Sequence, residues 1–144
     1  MISIESTPLS GLVVATHPPV GDERGELERL FCVMDMADVY GDRRIMQVNR
    51  TETKAIGAVR GMHYQVTPFA ELKVVTCIRG RVWDVAVDLR AGSATFMQHH
   101  AVELSPTSHR SFVLPEGFAH GFQVLEPDSQ LLYLHTALYM PDHE

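Results

Sequence analysis

A chain of 144 residues and 16.1 kDa is the size of one domain, 1–144, built around one core. Hydrophobic residues make up 45% and charged residues 21%, a globular balance that excludes a disordered tail, a collagen and a coiled coil. Twelve Lys and Arg against 18 Asp and Glu leave a net charge of −6 with no basic run, which argues against nucleic acid and anionic membrane as partners.

The N-terminus, Met1-Ile2-Ser3-Ile4-Glu5-Ser6, has neither a basic region nor an apolar stretch of signal-peptide length. No apolar run approaches bilayer length. Cys32 and Cys77 have no metal or redox spacing. The expectation is a soluble cytoplasmic domain.

The apolar residues fall in short runs, none with a convincing helical period. In chain order the strands are expected at 12–16, 27–36, 44–49, 55–59, 72–78, 82–89, 96–104, 111–114, 118–125 and 131–139. Gly, Pro, Asp and Ser punctuate them, notably at Pro18-Pro19, Gly92-Ser93, Pro115-Glu116-Gly117 and Pro127-Asp128. The strand at 12–16, apolar and near a terminus, is expected to need a partner edge. Arg79-Gly80 reads as the turn of a hairpin between 72–78 and 82–89. The clearest alternation is in 82–89: Trp83, Val85, Val87 and Leu89 take one face, and Val82, Asp84, Ala86 and Asp88 the other. Asp84 and Asp88 are expected to pair with Arg79, Arg81 or Arg90, or to support other polar groups. In 131–139, Tyr133, His135, Ala137 and Tyr139 share a face that could bring two phenols and an imidazole into a cavity or simply fill the interior. Ten short strands without βαβ spacing predict an all-β antiparallel sandwich or barrel.

Three stretches are unusually polar and glycine-rich for strand borders: Gly21-Asp22-Glu23-Arg24-Gly25, Val59-Arg60-Gly61-Met62-His63-Tyr64-Gln65 and Pro115-Glu116-Gly117-Phe118-Ala119-His120-Gly121-Phe122. With Asp84-Val85-Ala86-Val87-Asp88-Leu89-Arg90 and Tyr139-Met140-Pro141-Asp142-His143-Glu144, they resemble the dTDP-4-dehydrorhamnose 3,5-epimerase family from about residue 20 onward. The resemblance implies an antiparallel double-stranded β-helix, the cupin-like jelly roll, that binds a nucleotide-diphosphate 4-keto-6-deoxy sugar. It also implies metal-independent inversion at C3 and C5, with no cofactor. Both carbons flank the C4 ketone, so a base can remove each proton if the enolate is stabilised, and an acid on the opposite face can return it.

By position in these motifs, His63 matches the base, Tyr133 the proton donor and Lys73 a group beside the developing enolate. Arg24, Gln47, Asn49, Arg60, His120 and Glu144 match residues that bind the nucleotide sugar. A neutral imidazole suits proton abstraction near neutral pH, and guanidinium groups suit a diphosphate. The resemblance further implies a homodimer in which Arg24 reaches the other subunit's cavity.

The chain departs from the pattern at Val20, where an aromatic residue is usual, at Arg29, where a glutamate is, and at Leu134, where a lysine is. The family also continues beyond the counterpart of Glu144, into a segment carrying the aspartate that partners the base. Asp84 or Asp22 is expected to take that part. Two other readings compete. A metal-dependent cupin needs two histidines one residue apart, but Gln65 stands two after His63, and His99-His100 are adjacent. A relative that binds a nucleotide sugar without turning it over would retain the cavity but not proton exchange.

Overall fold

The computed structural model describes residues 1–144. Twelve strands follow one another: β1 (Ser3–Ser6), β2 (Val13–Thr16), β3 (Val20–Asp22), β4 (Gly25–Leu27), β5 (Gln47–Thr53), β6 (Val59–His63), β7 (Lys73–Arg79), β8 (Val82–Asp88), β9 (His99–Leu104), β10 (Arg110–Leu114), β11 (Phe118–Val124) and β12 (Ser129–His135). A single short helix, α1 (Ala37–Tyr40), lies between β4 and β5. One sheet runs β1-β2-β10-β7-β12-β5 and the other β6-β11-β8-β9, while β3 and β4 form a separate hairpin. All pairings are antiparallel, and the whole is a cupin-like jelly roll.

The main core lies between the two sheets, where Val75, Phe112, Leu114 and Leu131 meet Val82, Ala86, Leu104 and Val124. The larger sheet is covered on its other face too. There Ile2, Val13, Ala15, Val74 and Val113 pack against Met36, Tyr40 and Leu72. Burial on both faces explains why β7 opens as the continuous run Lys73-Val74-Val75-Thr76-Cys77 instead of alternating. In β8 only one face is buried, and alternation returns: Val82, Asp84, Ala86 and Asp88 point inward while Trp83 is exposed.

Three expectations fail for physical reasons. Residues 28–36 form no strand. Their apolar side chains are used by irregular chain that covers the larger sheet, with Phe31 and Tyr40 edge to face at 5.1 Å. Arg79-Gly80 is not the turn of a hairpin, because β7 and β8 belong to different sheets. Gly80, with φ +75°, carries the chain across, where a side chain would strike Ser129. Finally β2 lacks no edge: β1 pairs with it on one side and β10 on the other. Strand limits shift elsewhere, most visibly where Gly57 makes a turn of the expected strand at 55–59 and Met97 leaves the extended region before β9.

Candidate active site

Between the two sheets a cavity of about 390 Å³ is lined by polar side chains from both. From the smaller sheet come Arg60 and His63 of β6 and His120 and Phe122 of β11. From the larger come Gln47, Asn49 and Thr51 of β5, Lys73 of β7, and Tyr133 and His135 of β12. Tyr139 and Glu144 also line it. The structure therefore gathers eight of the nine residues singled out in the sequence. Arg24 is the exception. It lies at the tip of the β3–β4 hairpin, exposed and bound to Asp22 at 2.5 Å.

Strand register explains the convergence. In β12, Tyr133 stands opposite Val75 and Asn49, and His135 opposite Lys73 and Gln47, so alternate residues deliver a phenol and an imidazole to one face. Tyr139 lies beyond the strand and reaches the cavity from a loop. On the facing sheet His63 pairs with His120. Gly61, with φ +113°, permits that approach: a Cβ there would come within 2.7 Å of Gly121 Cα and the His120 carbonyl.

His120 is buried, and its Nε2 meets Asp84 Oδ1 at 2.7 Å. Asp84 thus serves an imidazole rather than an arginine, and its second oxygen is buried without a partner. Asp88, four residues along β8, does take an arginine. Arg90 forks onto it, and Ser93 and Thr95 donate hydroxyls at 2.6 Å. These donors hold the Asp88 carboxyl far below the usual carboxylate range, against the opposing effect of burial.

His63 is far more open, with 59% of its side chain exposed. Its carboxylate partner is Glu144, 2.5 Å from Nδ1. The partners expected from the sequence are engaged elsewhere, Asp84 with His120 and Asp22 with Arg24. Glu144 gets there because its segment is tied down. Gln65 accepts from the Met140 amide and donates to the Leu138 and Phe69 carbonyls, and the Val66 amide donates to the His143 carbonyl. Gln65 is thus a backbone clamp. The Tyr139 hydroxyl donates to the other Glu144 oxygen at 3.0 Å, which raises the phenol above its ordinary range.

Burial also pushes the Tyr133 phenol well above its ordinary range, so it keeps its proton at neutral pH. Lys73 Nζ lies 3.3 Å from Glu71 Oε1, and His135 Nδ1 lies 2.9 Å from Glu71 Oε2. Burial acts to raise Glu71, but the His135 hydrogen bond and the Lys73 charge outweigh it and hold the carboxyl below its usual range. Glu71 and Thr51 escaped the sequence reading. The one available signal was a carboxylate two residues before a lysine expected to be buried among apolar neighbours.

The sequence pattern of the family described as dTDP-4-dehydrorhamnose 3,5-epimerase matches residues 6–144. The enzyme of that name from Sinorhizobium fredii is 40% identical over 124 residues, 86% of this chain and 64% of its own. The one from Shigella flexneri is 35% identical over 139 residues, 96% of this chain and 76% of its own. This chain therefore spans about two thirds to three quarters of those relatives. The Legionella pneumophila enzyme, solved in complex with dTDP-4-keto-L-rhamnose, superposes with a TM-score of 0.93 at 35% identity, covering 99% of this chain and 76% of that one. The Bacillus anthracis enzyme, with TDP and PPi bound, gives 0.94 at 30% identity, covering 99% and 82%. On pattern, sequence and fold together, the chain belongs to the dTDP-4-dehydrorhamnose 3,5-epimerase family.

Proposed function

We propose that this chain epimerises a nucleotide-diphosphate 4-keto-6-deoxy sugar, dTDP-linked as in the Legionella relative, at C3, C5 or both. The observation that carries the proposal is the convergence of His63 from one sheet with Tyr133 and Lys73 from the other on a single cavity. An exposed imidazole can take a proton and release it to water, whereas a buried phenol that stays protonated can only give one. In this reading His63, with Glu144 at Nδ1, removes the proton alpha to the ketone through Nε2. The Lys73 ammonium stabilises the enolate oxygen, and Tyr133 delivers a proton to the opposite face. Gln47, Asn49, Arg60 and His120 bind the nucleotide sugar. Arg60 also supplies positive charge against the overall −6 that would repel a diphosphate.

Arg24 enters through a homodimer. The β3–β4 hairpin leaves Val20 and Leu27, paired across it, about three-quarters exposed. Seating that hairpin on a second copy covers both residues and brings Arg24 to the partner's cavity. Light scattering should give twice the monomer mass at micromolar concentration; a monomer overturns this part.

The test of function is incorporation of solvent deuterium at C3 and C5 of a dTDP-4-keto-6-deoxy sugar, followed by NMR. The wild-type protein should exchange and invert. Tyr133→Phe should still exchange while inversion slows, because proton removal survives when proton return is impaired. Binding of the sugar nucleotide with no exchange at any concentration would establish a binding-only relative instead.

A further inference from the structure

Glu71 is shared. One oxygen holds the Lys73 ammonium at 3.3 Å and the other holds His135 Nδ1 at 2.9 Å, and all three side chains are almost wholly buried in the cavity wall. A carboxylate can only accept, so Nδ1 of His135 carries the hydrogen and Nε2 is left to accept from Asn49 Nδ2, 3.4 Å away. His135 is further fixed by the Tyr133 ring, nearly parallel to it at 5.7 Å. The groups around it are Glu71 and Lys73 on the β7 side, uncharged Gln47 and Asn49 from β5, and Tyr133 on its own strand.

The arrangement poses an electrostatic problem. A lysine meant to stabilise an enolate is of little use if an adjacent carboxylate cancels its charge, and with both side chains about nine-tenths buried that cancellation is stronger than in water. Drawing off one carboxylate oxygen into a second hydrogen bond weakens the hold on the ammonium. Resting on the epimerase reading above, we infer that His135 is a positioning residue for Lys73: by engaging Glu71 it preserves positive potential at the point where the enolate oxygen forms.

The test is a double-mutant cycle of His135→Phe and Glu71→Gln. Phenylalanine keeps a planar ring beside Tyr133 but offers Glu71 no donor, glutamine keeps the shape of Glu71 without its charge, and thermal melting reports whether the fold is intact. With Glu71 present, His135→Phe should lower kcat for deuterium exchange about tenfold and leave KM within about twofold. In the Glu71→Gln background the same change should alter kcat less than about twofold. Equal losses in both backgrounds, or a rise in KM at constant kcat, would overturn the inference.

A second readout needs no turnover. Competitive acylation of the Lys73 amine in the free protein, quantified by mass spectrometry, reports its free-base fraction. His135→Phe should slow labelling, because Glu71 then acts on the ammonium undivided, and should have no effect in the Glu71→Gln background. Labelling unchanged by His135→Phe overturns the inference whatever the kinetics show. Absence of exchange in the wild type alone strikes the epimerase reading, and labelling then decides the role of His135 by itself.

Discussion

Two histidines face the same cavity from neighbouring strands, each with a carboxylate, and the pairs differ in nearly everything else. His120 and Asp84 are 5% and 0% exposed, whereas His63 and Glu144 are 59% and 31% exposed. In the buried pair each group is the other's substitute for water, so removing either strands a polar group in a dry interior. In the open pair solvent can replace either partner, and the link is weak but free to exchange protons. The same two chemical groups thus give a fixed strut in one place and, in the proposed mechanism, the proton-removing base in the other, and burial separates the two.

His63→Ala sharpens the comparison most. Deuterium exchange should fall about 10²- to 10⁴-fold, the usual worth of a positioned base. Stability to urea should stay within about 0.5 kcal/mol, since an exposed pair is being lost. If exchange survives, His63 is not the base.

His120→Ala should do the reverse. It leaves the buried Asp84 carboxylate with no partner at all, since its second oxygen already has none, and should cost about 3–5 kcal/mol in urea denaturation. A loss below about 1 kcal/mol would mean that water reaches this pair as freely as it reaches His63.

Asp88 extends the buried side of the comparison along the same strand. Its carboxyl is held below the ordinary range by Arg90, Ser93 and Thr95, so its folded pKa is depressed. A depressed carboxylate adds stability above its unfolded pKa of about 3.9, and that stability is lost as pH falls through the folded value. Asp88→Asn should therefore cost about 2 kcal/mol at pH 7 and reduce the decline in melting temperature below about pH 4. An acid limb identical to that of the wild type would assign the acid sensitivity to other carboxylates.

The sequence carried the jelly roll and most of the cavity for reasons that differ by residue. Alternation in β8 and the breakers around it were visible because one face is wet and the other dry. The segment 28–36 misled because burial against the outside of a sheet needs the same apolar residues as a strand but no ladder of hydrogen bonds. His63, Tyr133, Lys73 and His120 were legible through motifs. Glu71 was not, because nothing local shows that a carboxylate will turn inward to share a lysine with an imidazole 64 residues away. The partner of His63 was misplaced for a similar reason. Asp84 lies on the correct inner face, but register gives it to His120, and the Gln65 clamp that delivers Glu144 joins residues 75 apart.

Glu144→Gln should have the smallest effect, and it tests the comparison at its weakest joint. Glutamine preserves the shape: its amide oxygen can still accept from His63 Nδ1 and its amide nitrogen can donate to the Tyr139 hydroxyl oxygen, so the main loss is the charge. In a buried triad of the serine-protease kind, neutralising the carboxylate costs roughly 10⁴-fold in turnover, because the imidazolium has no other stabiliser and the wrong tautomer is locked in. Here water reaches both groups. Solvent can stabilise the imidazolium and the ring can turn, so the charge is worth only what an exposed ion pair is worth, about 1 kcal/mol or about fivefold in rate. Exchange in Glu144→Gln should therefore fall about fivefold or less, with the urea midpoint unchanged. A loss of a thousandfold would show that substrate binding seals this side of the cavity and converts the open pair into a buried one. The two histidines would then differ only until the sugar arrives.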